Sequence, residues 1–189
     1  MGSKGDDTTE GERDTAASRL KLLSKHFREH ARTAPAERTG RRAHAGAPLN
    51  LKVADHITAS VAEVADHGRE VNPDAGPLPP RVEAVYDWYL ANTKTAPAAE
   101  QQRRDTIVYR QRLEHAIAMG DTKVIRPHRC PACKTFGLMW PEGADRAWCT
   151  NTRCTTKGGL CSSWTLAKLA YEHVAAQYKA EKNGRVRAT

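Results

Sequence analysis

Five cysteines lie between residues 130 and 161 of a 189-residue chain, and four of them have the spacing of metal ligands. Cys130 and Cys133 form a Cys-x2-Cys pair, Cys149 and Cys154 a Cys-x4-Cys pair, and fifteen residues separate the two. A Cys-x2-Cys turn aims two thiols at one point. Fifteen residues allow a strand out, a turn at Pro141-Glu142-Gly143 and a strand back, which brings the second pair beside the first. Four thiolates in a tetrahedron are the donor set that Zn²⁺ accepts in structural sites. The spacing therefore predicts a four-cysteine zinc ribbon with Cys130, Cys133, Cys149 and Cys154 as ligands. With every coordination position taken by protein, no place is left for water or substrate, so the ion is expected to hold structure and not to catalyse.

Two neighbours leave alternatives open. Cys161, seven residues after Cys154, could replace it as fourth ligand or be a small buried side chain. His128, two residues before Cys130, could be a ligand or a surface residue beside the site. The ribbon, at about forty residues, is too short to bury a self-sufficient core. Its large apolar groups are Phe136, Leu138, Met139, Trp140 and Trp148, and metal binding would supply the missing folding free energy.

The surrounding chain reads as helices. In residues 15–32, Leu20, Leu23 and Phe27 make one stripe flanked by Arg19, Lys21, Lys25, Arg28 and Arg32. This is a basic amphipathic helix, suited to lie on nucleic acid or an acidic membrane surface, or to pack on the body with a solvated basic face. Residues 1–14 are polar and expected to be disordered, and 33–48, with Pro35, Gly40, Gly46 and Pro48, read as a linker. A helix is predicted over 49–66 (stripe Val53, Ile57, Val61, Val64, with Asn50 as cap), then a loop over 68–80 with a turn at 72–76. A third helix over 81–91 carries Val82, Val85, Tyr86, Tyr89 and Leu90 on one face, aromatics whose spacing marks them as core. A fourth spans about 98–119, ended by Gly120 as C-cap, with its polar first half, 100–105, in solvent. After the ribbon comes a helix capped by Ser163 or Thr165, with Leu166, Leu169, Ala170, Val174 and Tyr178 on its stripe. The fold class is thus mainly α with a small zinc ribbon (α+β), divided as 1–48 (basic helix and linker), 49–120 (helical unit), 121–178 (ribbon and C-terminal helix) and 179–189 (mobile basic tail).

The net charge of +8 is uneven: residues 19–46 carry eight basic and two acidic side chains, and residues 121–189 carry twelve and five. Both blocks fit a polyanion, most often nucleic acid. No apolar run is long enough to span a bilayer, and the N-terminal residues show no secretory pattern. A reducing cytoplasmic setting is therefore expected, where clustered thiols favour metal over disulfide.

Residues 124–175 resemble the zinc-ribbon segments of small proteins from actinobacteria and their phages. The resemblance is carried by Cys130-Pro131-Ala132-Cys133, Thr135-Phe136-Gly137-Leu138, the pair Cys149 and Cys154, and Trp164-Thr165-Leu166-Ala167. Tyr109-Arg110-Gln111-Arg112-Leu113-Glu114-His115-Ala116 looks familiar from the same group. The resemblance implies the ribbon fold and zinc and carries no activity with it.

Three functions compete. The first is a non-enzymatic nucleic-acid-binding protein, with DNA expected ahead of RNA. Arg126, Arg129, Lys134, Arg146, Arg153 and Lys157 would contact it, and Phe136, Trp140 or Trp148 would stack on a base. The second is an adaptor using the ribbon as a rigid docking knob for another protein. The third, an enzyme, is disfavoured: there is no Walker motif, His-Glu-x-x-His or glycine-rich dinucleotide loop. Glu83, Asp87, Asp105 and Glu114 could meet across helices around Mg²⁺, but helix-surface solvation explains them better.

Overall fold

The computed structural model describes residues 15–31 and 47–187; the expected disordered start and most of the linker lie outside them. The chain divides into two compact units, Met1–Thr95 and Ala96–Thr189. Among the described residues no helix is long and apolar enough to cross a membrane.

The first unit is helical. α1 (Ala16–Ala31) and α2 (Ala47–Val71) pack together, and a 3-10 turn (Val82–Ala84) leads into α3 (Val85–Thr93). Thr15 caps α1, its hydroxyl accepting from the Ser18 amide at 3.1 Å. The stripe of α1 is taken up by packing: Ala16, Leu20 and Leu23 are buried while Lys21 and Lys25 stay exposed. This is the packed alternative for the basic helix. Ile57, Val64, Ala65, Val85, Tyr86 and Tyr89 are buried in the same unit, and the Tyr89 hydroxyl is hydrogen-bonded to His67 Nδ1.

Sequence and structure differ at both ends of α2. Asn50 lies within the helix rather than capping it, and the helix runs past Gly68 to Val71. Gly68 is there for close approach and not as a stop: a Cβ on it would lie 2.6 Å from the Trp88 ring. The turn expected at 72–76 does form. The Asp74 amide donates to Asn72 Oδ1 at 3.2 Å, and Trp88 Nε1 ties Gly76 to α3 at 3.2 Å.

The second unit starts with α4 (Ala98–Ala118). Gly120 ends it as expected, at φ +83°. Its amide donates to Ile117 O and that of Asp121 to Ala116 O, both at 2.9 Å, the paired bonds of a Schellman motif. A 3-10 turn (Thr122–Ile125) precedes three short antiparallel strands, β1 (Leu138–Met139), β2 (Ala147–Cys149) and β3 (Ser163–Trp164), with β2 central. The turn at Pro141-Glu142-Gly143 closes through Ala144 N to Pro141 O at 3.2 Å, with Gly143 at φ +70°. α5 (Leu166–Arg187) follows, with the Thr165 hydroxyl accepting from the Lys168 amide at 3.3 Å. Of the two candidate caps, Thr165 serves, because Ser163 is spent in β3.

Three further differences stand out. α4, which the sequence groups with the helices of residues 49–91, falls in the second unit and packs along α5. Its polar first half is not all in solvent: Arg104 is buried and bonded to Asp105 at 2.7 Å, and Asp105 accepts from the Tyr178 hydroxyl of α5 at 2.6 Å. The expected mobile tail is helical from 179 to Arg187, because lysine, alanine and glutamate there are good helix formers.

Candidate metal centre

Each ligand pair is positioned by its own small device. At the first knuckle the Lys134 amide donates to Cys130 O and the Cys130 amide to Thr135 O, both at 2.9 Å, which curls the backbone round the two thiols. Lys134 takes φ +60° to complete the curl. At the second, β2 ends in Cys149, and the Cys154 amide returns to Asn151 O at 2.8 Å. Ser162, just before β3, locks this knuckle from the far side: the Cys149 amide donates to Ser162 O at 2.9 Å and the Ser162 amide to Cys154 O at 3.1 Å. Two bonds stitch the knuckles together, from the Thr150 amide (2.9 Å) and hydroxyl (2.8 Å) to Gly137 O. Gly137 has φ +125°, and a Cβ there would lie 2.6 Å from Thr150 Oγ1, so only glycine fits.

The four sulfurs converge. All lie within 4.8 Å of one another, and Cys130–Cys154 and Cys133–Cys149 are each 3.7 Å apart. A tetrahedron of metal–sulfur bonds of about 2.3 Å has edges near 3.8 Å, so the spacing suits a chelated ion. All four cysteines are free, with Cys130, Cys149 and Cys154 buried. The Thr135 hydroxyl, 3.0 Å from Cys133 Sγ, and the Thr135 amide bring that thiol down to about 6, whereas burial pushes Cys149 up to about 12. Metal binding takes cysteine as the thiolate, so a bound cation would favour the deprotonated form of these side chains. Among the described residues this is the one cluster of three or more potential ligands. Cys161 is exposed and outside it.

His128 is not a ligand in this geometry but a buried support behind the first knuckle. Its Nδ1 faces Ile125 O at 3.1 Å, and a carbonyl only accepts, so Nδ1 carries the proton and Nε2 accepts from the Tyr109 hydroxyl at 2.9 Å. Burial keeps His128 below the usual histidine range and raises Tyr109 to about 12. His173 of α5 stacks flat on Tyr109, with ring centroids 4.1 Å apart. Sequence reading misses this Tyr109–His128–His173 stack, since no spacing rule links residues on α4, a loop and α5.

The six basic residues expected to contact nucleic acid are all exposed. Lys134 is paired with Glu172 at 3.5 Å. Arg129 lies over the Phe136 ring at 4.2 Å and donates to Lys134 O at 3.0 Å. Arg126, Arg146, Arg153 and Lys157 have no ion-pair partner among the described residues. Of the three candidate stacking rings, Trp140 is half-buried against the core, and Phe136 and Trp148 are exposed.

Comparison with protein-family models, curated proteins and solved structures found no match for this chain. The class of protein is therefore set by the site itself: a mainly helical chain with a small antiparallel sheet and a four-cysteine cluster able to chelate a metal ion.

Proposed function

We propose that the ion is Zn²⁺ in a structural role, and that the ribbon is a non-catalytic nucleic-acid-binding module. Four protein sulfurs fill a tetrahedron and leave no open coordination place, which supports the structural role. One observation supports the partner: Arg126, Arg146, Arg153 and Lys157 stand exposed in and beside the ribbon, with no acidic side chain paired to them among the described residues. Unpaired cations on a rigid frame are free to exchange counterions for phosphates.

The test is binding of labelled random-sequence oligonucleotides, single- and double-stranded, at two salt concentrations. Affinity should fall as salt rises, and replacing Arg146 and Arg153 together by Ala should flatten the salt slope by about two. Absence of binding at low salt would overturn the reading. The adaptor alternative would then lead; its supporting observation is Leu160, 73% exposed in the loop after the second knuckle.

A further inference from the structure

The sheet has one covered and one open face. Inward side chains Leu138, Ala147 and Cys149 join Leu113 of α4 and Leu166 and Leu169 of α5 in the buried cluster. Side chains alternate along strands, so the residues between point the other way. There Met139 and Trp148, direct cross-strand partners, stand 48% and 49% exposed. Arg146 and Thr150, which flank β2 two residues either side of Trp148, are exposed, and Ser163 sits opposite Trp148 on β3.

An indole half in water in the middle of a sheet is not core, and its neighbours select its partner. The apolar patch is two side chains wide, far below the roughly 1,200 Å² that a stable protein interface buries. The edge strand β1 has two residues, too few to recruit a partner strand. One aromatic face is nevertheless enough for one base, because stacking needs only a π-surface. Arg146 beside it supplies the cation a neighbouring phosphate needs, and residues 121–164 carry seven basic against three acidic side chains.

We infer that the open face of the ribbon binds single-stranded nucleic acid, with one unpaired base stacked on Trp148 against Met139 and the adjoining phosphate on Arg146. This rests on the nucleic-acid reading above and adds the strandedness and the contact. A duplex keeps its base faces covered by stacking and can offer this site only its backbone. Recognition is by ring face, so preference among bases is weak.

The experiment uses the full zinc-loaded chain, an oligothymidine and a hairpin duplex of equal length. The single strand should bind more tightly. Trp148→Ala should weaken it about five- to hundredfold with little change for the hairpin, and Trp148→Phe should recover most of the loss. Metal content of one ion per chain shows each variant folded. Photo-crosslinking of the unaltered chain to an iodouracil oligonucleotide gives a second readout, expected at Trp148. Equal affinity for strand and hairpin, unchanged in Trp148→Ala and crosslinked elsewhere, overturns the stacking contact while leaving nucleic-acid binding in place. No binding of either at low salt removes both.

Discussion

The two units differ in what the residues away from their helices contribute to the interior. In the first, Leu20, Leu23, Val64, Val85 and Tyr89 are each at most 2% exposed, an apolar core of ordinary make. In the second, the ribbon contributes Cys130, Leu138, Ala147, Cys149 and Cys154 to the buried cluster. Leu138 is the only large hydrocarbon among these, and three of the five are potential ligands. The rest of that cluster comes from α4, the 3-10 turn and α5. Phe136, Met139 and Trp148, which belong to the ribbon's apolar stock by sequence, are instead turned to solvent. On the proposed reading, a metal would stand in for a core where strands of two or three residues cannot enclose one.

The contrast breaks if metal removal unfolds both units. A chelator should withdraw coordination free energy on the order of 10 kcal/mol, and Cys149→Ser, which leaves three thiolates, a part of it. Residues 126–164 should then be cut by protease and lose hydrogen-exchange protection, while amides of α2 and α3 keep theirs. Loss of protection across both units would show that the first unit depends on the ion. The reverse perturbation is smaller. Tyr89→Ala removes a fully buried ring and should cost about 3–5 kcal/mol, seen as earlier melting of the first unit, with bound metal unchanged at one per chain.

What the sequence discloses divides along the same line. The four ligands, the turn at Pro141-Glu142-Gly143 and the Gly120 cap are legible because each depends on local spacing or on a backbone conformation that one residue type permits. The inward stripe of α5, Leu166, Leu169, Ala170 and Val174, is legible from helical period. β3 is not, since two residues carry no period and Ser163 also suits a helix cap. Gly68 reads as the start of a loop because its real reason, the Trp88 ring, lies twenty residues away. The placement of α4 with the ribbon is hidden too: its polar first half gives no sign that Asp105 meets Tyr178.

Two glycines sharpen the comparison at the smallest scale. Each would set a new Cβ 2.6 Å from a neighbour, Gly68 against Trp88 and Gly137 against Thr150. The neighbours differ in what they can yield. Trp88 presents the far end of a partly exposed side chain and can swing aside at the loss of one bond to Gly76, and alanine in a helix gains about 0.5–1 kcal/mol over glycine. Gly68→Ala should therefore change stability by less than about 1 kcal/mol. Gly137 is held at φ +125°, and Thr150 cannot retreat without giving up its bonds to Gly137 O. Gly137→Ala should cost about 1–3 kcal/mol, read as roughly tenfold weaker retention of zinc against a competing chelator. Adding Thr150→Ala relieves the contact but not the backbone strain, so the double variant should recover only part of the loss. Full recovery would assign the whole effect to crowding, and no loss in Gly137→Ala would mean that the knuckles do not need this stitch.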